Sequence, residues 1–471
     1  MKLLIGLVAG VILLFFSSLN WRRSVKAVLV IVVIEGALRK WVLPQASDMM
    51  YFLKDAVLLG AYLKYYVFSA SERKSPVKST IINSLVFLAA GWCLFQAFNP
   101  SLGSPIIGIF GLRSYLFYIP LMWMVTDLFQ SEEELYKFLR SYLLLVIPIC
   151  LLGIAQFYSP ASSPINTYAP GAIKSVATFG NENTVRVTGT FSYISGYSLY
   201  LIVCFGLLIP TILTSRSWSW RWVLMTGLVL VSMNSLMTGS RTSVMASALF
   251  LLGYVGIKGL KLPTRTVALL GKSLIPILVI AIAASIWFRP AIEAYLYRST
   301  KTNDVSYRIV GSLLEPFDFM KYKELDGYGT GATHQGGAAL RKALDLPPGE
   351  EISVYHEVEV GRVALELGPI GFLFWYGLRV SIAIALLRTF WKLKRSFLRQ
   401  LGLAAFLIQA IQITGQLVFH HTFLVHYWFL SGFIFLLPRL EEIENWQREQ
   451  QFLQEWQANV LSSYFPDSSY R

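Results

Sequence analysis

Five arginines lie where apolar segments meet polar ones, and they are the strongest chemical signal in the chain. Arg241 lies in MTGSRTSVMAS, Arg186 begins RVTGTFSYISGY, Arg113 lies in GIFGLRSYLFY, and Arg308 and Arg362 lie near the two ends of a long polar segment. An arginine keeps its charge and binds phosphate oxygens through a bidentate fork. The pattern predicts a diphosphate clamp made of Arg241, Arg186, Arg113 and Arg308. The alternative is that each arginine marks a helix end and extends its charge to the membrane surface.

The long polar segment also holds residues that could act as an acid or a base. It contains GYGTGATHQGG at 327–337, and it runs into VYHEVEVGRVALELGPIGFLFW at 354–375. Glycines let a backbone approach a ligand closely, and histidine or carboxylate side chains can accept a proton near neutral pH. The candidate bases are His334, His356, Glu357, Glu359 and Glu366. The alternative for each loop histidine is an ordinary solvated or hydrogen-bonded residue.

A second group of charges lies in two apolar segments near the N-terminus. Glu35 and Arg39 are one helical turn apart in EGALRKWVLP and can pair. Lys40 follows them, and Lys54 and Asp55 occupy a similar depth in the next apolar segment. These residues either pair with one another or line an outer cavity.

The sequence carries no pattern for a metal or another cofactor. His420, His421 and His426 are close together, but no carboxylate or cysteine accompanies them, so no metal site is predicted. DxD, Walker and GxSxG motifs are absent. The three cysteines each lie inside an apolar run and indicate no disulfide framework. We therefore expect chemistry that uses neither metal nor cofactor.

The composition is that of an integral membrane protein. Of 471 residues, 55% are hydrophobic and only 14% are charged, and the mean hydropathy is +0.54. Soluble domains carry about 25% charged residues. The net charge of +14 does not indicate a nucleic-acid partner, because the basic residues form short clusters between apolar runs, as in loops held against anionic lipid headgroups.

About thirteen apolar segments are long enough to cross a bilayer, so the predicted fold is an all-α integral membrane protein with about 12–13 transmembrane helices. The first segment is expected to be a retained helix rather than a signal peptide, because no small-residue cleavage site follows it. The predicted spans are 3–19, 25–43, 51–69, 80–98, 105–126, 141–158, 192–214, 222–238, 243–260, 266–288, 364–388, 402–419 and 422–437.

Lysine and arginine are concentrated in alternate connections, above all in RTFWKLKRSFLR at 388–399, which is predicted to be cytoplasmic. The N-terminus is then outside the plasma membrane and the C-terminus inside. The predicted organisation has about ten spans in 1–288 with an outside loop at 159–191, a large extracytoplasmic loop domain at 289–363, about three spans in 364–437, and a cytoplasmic tail at 438–471.

Three of these motifs, in this order, resemble the O-antigen ligase and O-antigen polymerase superfamily of bacterial membrane proteins. RVTGTFSY is similar to the family's Arg-x-x-Gly-Thr-Phe stretch, and TGSRTS is similar to its Ser-Arg turn. GYGTG, followed at a distance by LELGPIG, resembles the end of its large outside loop. The resemblance covers about residues 180–380, and the rest of the chain only in topology.

The resemblance implies glycosyl transfer at the outer face of the plasma membrane, from a glycan carried on undecaprenyl diphosphate. A ligase passes the glycan to a lipid core, whereas a polymerase, which we prefer slightly, passes it to another lipid-linked repeat. The implied partners are this lipid-linked oligosaccharide donor, a glycan or lipid acceptor, membrane lipids and envelope polysaccharide assembly proteins. Neither a nucleotide nor a metal is implied.

The resemblance also implies roles for individual residues. Arg186 and Arg241 match the arginines that would contact the diphosphate, and His356 lies near the family's loop histidine. This chain reads HEVEVGRVALE where the family often has a His-Asn pair. Glu359 with Arg362 is therefore an alternative for the base, and His334 is a further candidate.

Two other classes of function remain open from the sequence. One is a transporter of a small, bicarbonate-like anion, although no inverted repeat is found and a long outside segment has no evident use in such a carrier. The other is a non-catalytic protein of envelope assembly.

Overall fold

The computed structural model describes residues 2–69, 80–170, 176–180, 184–215, 217–261, 288–301, 305–323 and 325–464. Throughout these residues the regular structure is helical and no β-strand occurs. One isolated antiparallel bridge joins Thr178 to Val185. The prediction of an all-α protein is thus confirmed for the described chain.

The first group of helices ends near residue 124. Asn20, Thr80 and Ser104 cap the N-termini of three of them by accepting a backbone N–H, as such side chains commonly do. The π-helical turns Leu38–Val42 and Leu63–Phe68 extend the second and fourth helices. The group consists of α1 (Lys2–Leu19), α2 (Trp21–Ala37), α3 (Ser47–Tyr51), α4 (Leu53–Tyr62), α5 (Ile81–Ala97), α6 (Pro105–Leu116) and α7 (Leu121–Met124).

The central group surrounds Ile194–Thr214, the most buried of the described segments that are long and apolar enough to cross a membrane. Apolar residues occupy all its faces, and 94% of its apolar window is buried inside the protein. A helix that is hydrophobic all round belongs in an interior. The group consists of α8 (Glu132–Leu144), α9 (Val146–Phe157), α10 (Ile194–Thr214), α11 (Trp218–Met237) and α12 (Arg241–Lys261).

The last group includes the two longest helices in the described residues. The long polar segment predicted at 289–363 contains a helix, Val305–Phe319. The polar tail after Pro438 is helical too, but it continues the preceding apolar helix without interruption. The group consists of α13 (Arg289–Lys301), α14 (Val305–Phe319), α15 (Gly337–Leu344), α16 (Glu359–Lys392), α17 (Ser396–Ile411), α18 (His421–Ser431) and α19 (Phe433–Tyr464).

Six helical segments among the described residues are long and apolar enough to cross a membrane, as expected of a multi-pass membrane protein. Three shorter apolar helices accompany them: Val8–Leu19, Ile81–Ala97 and Ser396–Ile411. The predicted span at 266–288 lies outside the described residues except for its last residue. The six segments are Pro105–Asp127, Glu132–Phe157, Ile194–Thr214, Arg241–Gly259, Glu359–Lys392 and His421–Gln457.

Helix α16 is broken within the LELGPIG motif. Gly368 has φ 65° and ψ −176°, and Pro369 follows it. Proline has no N–H to donate to the carbonyl four residues earlier, and its ring collides with that carbonyl. The break therefore frees the carbonyls of Leu365, Glu366 and Leu367 from their helical donors, and each needs a new one inside an apolar protein.

The GYGTG segment supplies two of the missing donors. The Tyr328 N–H donates to the Leu365 carbonyl at 2.7 Å, and the Gly329 N–H donates to the Glu366 carbonyl at 3.0 Å. The Trp92 indole donates to the Leu367 carbonyl at 2.8 Å. In the described structure, the glycines of this segment thus let its backbone approach the broken helix.

Gly327→Ala is expected to destabilise the protein by about 2 kcal/mol, because a non-glycine residue in a left-handed conformation is strained. Gly327 has φ +66°, and a Cβ there would lie 2.6 Å from the Gly368 nitrogen. Gly377→Ala, which lies within α16 itself and has open space around it, is the control and should be neutral or mildly stabilising. The measurement is the Tm of each purified variant in detergent, and equal Tm values for both variants would contradict this account of the break.

Candidate functional site

A cavity of about 490 Å³ lies where α10, α12 and α16 begin. Arg186, Arg241 and Arg298 line it together, and we call it the arginine cavity. Glu357 and Glu359 also border it. Arg186 and Arg241 belong to the predicted clamp, so the fold brings two of its four members together over 55 residues of sequence.

The arginine cavity also receives the positive ends of three helices. Ser195 in the first turn of α10, Arg241 at the start of α12, and Glu359 at the start of α16 all border it. No described side chain caps the N-terminus of α10 or of α16. The first N–H groups of a helix lack helical partners and carry partial positive charge. Such ends form ready sites for anions.

Arg186 is held in the cavity wall by the turn that precedes α12. Its Nε donates to the Thr238 carbonyl at 2.8 Å, and its backbone N–H donates to the Ala177 carbonyl at 2.9 Å. Gly239 has φ +61°, and a Cβ there would lie 2.9 Å from the Arg186 Nε. The glycine of the TGSR turn is therefore required for this approach.

The three arginines of the cavity affect one another electrostatically. Burial, and then the positive charges of Arg298 and Arg241, lower the pKa of Arg186 to about 10. Arg186 thus remains charged at neutral pH, in a place where its neighbours disfavour that charge. An anion between the three guanidinium groups would relieve the repulsion and would be bound correspondingly well.

The rest of the RVTGTFSY segment is fixed from two sides. Lys40 Nζ donates to Thr188 Oγ1 at 3.0 Å and to the Gly189 carbonyl at 2.8 Å. Gln156 Oε1 accepts the N–H groups of these same two residues, at 3.1 and 2.8 Å. These hydrogen bonds fix the backbone between Arg186 and the start of α10. Lys40 therefore helps to hold this segment in place.

Glu359, a predicted base, borders the cavity but is engaged in a buried ion pair. Its Oε1 lies 3.3 Å from Arg379 Nη1, and its Oε2 accepts the N–H groups of Leu417 and Phe419 at 2.6 and 3.3 Å. Both charged side chains are 1% exposed. The ion pair joins the two parts of α16 across its break, and the Glu359 carboxylate ties this helix to the connection before α18. Arg379 is not among the site residues predicted from the sequence, although a lone arginine in an apolar run indicates a buried charge with a partner.

Arg362 is directed toward the GYGTG segment rather than the cavity lining. Its Nε donates to Thr333 Oγ1 at 3.1 Å, and its guanidinium lies 3.5 Å from the centre of the Phe419 ring. Glu366, another candidate base, accepts the Thr333 N–H at 2.8 Å and the Tyr115 hydroxyl at 2.9 Å. These contacts join the loop to α16.

The two candidate histidines differ in which ring nitrogen can accept a proton. His334 Nδ1 accepts the Gly336 N–H at 3.0 Å, so a neutral His334 carries its proton on Nε2. His356 Nδ1 lies 2.9 Å from the Val354 carbonyl, which accepts its N–H and leaves a lone pair on Nε2. His356 also directly precedes Glu357 of the cavity lining. The local geometry therefore favours His356 as the base.

Arg113 and Arg308 do not join the described cavity lining. Arg113 forms an ion pair with Asp55, and its Nη1 lies 3.1 Å from His421 Nε2. The side chain of Arg308 lies outside the described structure, although its backbone belongs to α14. Arg298 takes a place in the cavity instead. It lies in AYLYRST on α13, and no sequence motif marks it.

The remaining charges near the N-terminus pair internally. Lys54 Nζ lies 2.8 Å from Glu35 Oε2, so Glu35 forms its ion pair with Lys54 and not with Arg39. Among the described residues, no three His, Cys, Asp or Glu side chains are arranged to hold a metal ion.

Comparisons with known proteins give no match: no family model, no curated protein and no solved structure is significantly similar to this chain. The chemistry of the site therefore has to be argued from its own residues.

Arg298→Ala should weaken pyrophosphate binding about tenfold or more, because one charge-assisted hydrogen bond contributes about 1.5–3 kcal/mol. Arg289→Ala is the control, since Arg289 lies on the same helix, is exposed and pairs with Glu293 at 2.7 Å. Titration calorimetry on the detergent-purified protein gives both Kd values. Equal Kd values for the two variants would remove Arg298 from the anion site.

The buried His334 side chain is expected to make the folded protein less stable in acid. Burial, with the charges of Arg362 and Arg113, lowers the pKa of His334 from 6.5 to about 4. The folded protein prefers neutral His334, so this contribution is complete above pH 6.5 and is lost as the pH falls toward 4. His334→Asn keeps an acceptor for Gly336 but cannot titrate. Melting at pH 7.5 and 4.5 should show a smaller acid-induced loss in His334→Asn, and identical losses would contradict the prediction.

Proposed function

We propose that the protein transfers or polymerises a glycan carried on undecaprenyl diphosphate, at the outer face of the plasma membrane, for surface or exopolysaccharide assembly. The observation that carries the proposal is the meeting of Arg186, Arg241 and Arg298 with three helix N-termini in one cavity. Among the described lining residues, these three arginines and Glu357 carry a net charge of +2, with Glu359 paired to Arg379. That charge suits a diphosphate.

The apolar part of the cavity supports a lipid donor rather than a free diphosphate. Leu199 and Ile202 of α10 line it opposite Met245 and Leu249 of α12. Met245 is 42% exposed and Leu249 is 50% exposed on the protein surface. In a membrane protein such residues face the acyl chains, so an isoprenoid tail can leave the cavity along α12.

The arginines supply the main catalytic contribution in this proposal. When the bond between the sugar and the diphosphate breaks, negative charge accumulates on the leaving phosphate. Guanidinium groups that are already in place stabilise this charge without reorganisation of the site. Arginine stays protonated and keeps its positive charge without a metal ion, so the charge stabilisation proposed here uses no cofactor.

His356 is the preferred base for the acceptor hydroxyl, because its Nε2 lone pair remains available. Glu357 follows it directly in the cavity wall. In this proposal Glu359 and Arg362 are positioning residues, because each makes contacts that hold α16 in place. The acceptor is a glycan on a second lipid-linked repeat or a lipid core.

The course of α17 supports an outer-face reaction. This helix begins at Ser396, within the basic segment 388–399, and ends at Ile411, which lines the cavity. Basic clusters of short loops favour the cytoplasm. The cavity then lies at the opposite end, with the N-terminus outside and the C-terminal tail inside.

A transporter of small anions is the second candidate, and the broken helix α16 is the observation that favours it. In transporters the backbone groups freed by a break often bind the substrate or a coupling ion. Here the three freed carbonyls each receive a donor from the protein. The glycan transferase therefore remains the better supported proposal.

Arg241→Ala and Arg241→Lys test the proposal in a strain that lacks the native gene copy. Each variant is compared with wild type and Arg289→Ala for long-chain surface glycan on gels, with membrane protein levels followed by blotting. We expect both Arg241 variants to be made normally, to lose long glycan and to accumulate single lipid-linked repeats. Lysine should fail because it lacks the bidentate fork.

If long glycan is unchanged in both Arg241 variants and also in the strain lacking the protein, the transferase proposal is wrong. Uptake of labelled anions by vesicles would then be the next assay.

A further inference from the structure

Ser195 and His420 form a pair in the wall of the arginine cavity. His420 Nε2 lies 2.7 Å from Ser195 Oγ, and Ser195 borders the cavity in the first turn of α10. His420 lies just before α18. Neither residue has a role in the glycan transfer described above.

The environment of His420 decides which ring nitrogen carries its proton. His420 Nδ1 is buried and has no hydrogen-bond partner among the described residues. A buried N–H without an acceptor is rarer in proteins than an unfilled acceptor. The proton of a neutral His420 therefore belongs on Nε2, from which it is donated to Ser195 Oγ. Burial lowers the pKa of His420 to about 4, so the ring is neutral at pH 7.

This donation fixes the direction in which Ser195 itself can donate. A hydroxyl has one proton and two lone pairs. With one lone pair occupied by His420, the Ser195 proton is left for another acceptor, and the side chain borders the cavity. His420 thus turns Ser195 into a donor toward a ligand.

Two further neutral groups border the same cavity. Ser198 lies one helical turn beyond Ser195, and its buried Oγ has no partner among the described residues. The buried Nε2 of Gln412 likewise has no described partner. A buried polar group without a partner is costly. A ligand oxygen beside Ser198 and Gln412 would accept a hydrogen bond from both side chains. We call Ser195, Ser198 and Gln412 the neutral donor layer.

The neutral donor layer lies between the arginines and the apolar wall. Along α10, Ser195 and Ser198 precede Leu199 and Ile202 on the cavity side. Arg186 comes before the helix begins. Neutral donors also suit the edge of an apolar region better than charged ones, because burying a charge costs far more than burying a hydroxyl.

We infer that the neutral donor layer binds the phosphate nearest the lipid, with Ser195 oriented by His420, and so selects a lipid diphosphate over a lipid monophosphate. The inference rests on the proposed function and adds the recognition of the second phosphate. The arginines bind the phosphate that carries the glycan. A monophosphate satisfies only one of the two layers.

Farnesyl diphosphate and farnesyl monophosphate are suitable probes, because both have an apolar tail and differ by one phosphate. Their Kd values are measured on the full-length protein in detergent for wild type, Ser195→Ala, Ser195→Thr and His420→Gln. Wild type should prefer the diphosphate. Ser195→Ala should lose about tenfold in diphosphate affinity and little in monophosphate affinity. Ser195→Thr keeps the hydroxyl, and His420→Gln can still donate to Ser195, so both should retain the preference.

The outcomes separate this inference from the proposed function. If wild type prefers the diphosphate and Ser195→Ala keeps the same preference with an unchanged Tm, the inference is overturned while the transferase proposal stands. If Ser195→Ala loses the same amount of affinity for both probes, the inference is also overturned. If wild type binds neither probe and Arg241→Ala leaves glycan unchanged, both proposals fail.

Discussion

Mutual repulsion of three guanidinium groups is the constraint on which the rest of this architecture depends. Arg186, Arg241 and Arg298 share one partly buried cavity with the positive ends of three helices, where charges interact more strongly than in water. The fold holds Arg186 there through the Thr238 carbonyl and the space left by Gly239. Such an arrangement carries unfavourable electrostatic energy that a bound anion would relieve, and this is the physical basis of the proposed diphosphate site.

The contacts around the cavity hold its walls in position. The three arginines therefore do not relieve their repulsion by a rearrangement of the site. The Glu359–Arg379 pair and the capped break of α16 fix the start of that helix, and they satisfy their own polar groups within the protein. The Lys40 and Gln156 contacts fix the segment between Arg186 and α10. In these networks the charged and polar side chains are paired within the protein and need no ligand. The cavity differs from them because no described side chain caps the starts of α10 and α16, and because Ser198 Oγ and Gln412 Nε2 lack described partners.

The sequence predicted the features that depend on composition and on local motifs. The all-α class follows from apolar segments, and Arg186 and Arg241 were found because each lies in a short glycine-containing motif at a helix end. Arg298 could not be found in this way, because only tertiary packing of α13 brings it to the cavity. Glu359 was selected as a base from its residue type, whereas its partner Arg379 lies twenty residues further on.

Two other features need coordinates for a physical reason. Glycines indicate that a backbone approaches something closely, but they do not identify what it approaches; GYGTG approaches the broken helix. The proton position on a histidine depends on its hydrogen-bond partners, which is why His334 and His356 differ in structure and not in sequence.

The most direct test of the account is a cryo-electron microscopy structure of the full-length protein in lipid nanodiscs with an undecaprenyl-diphosphate-linked sugar. We expect diphosphate density within hydrogen-bonding distance of Arg186, Arg241 and Arg298, with the isoprenoid tail leaving along α12. Diphosphate density elsewhere, for example beside Arg113 and His421, with an empty arginine cavity, would contradict the central claim.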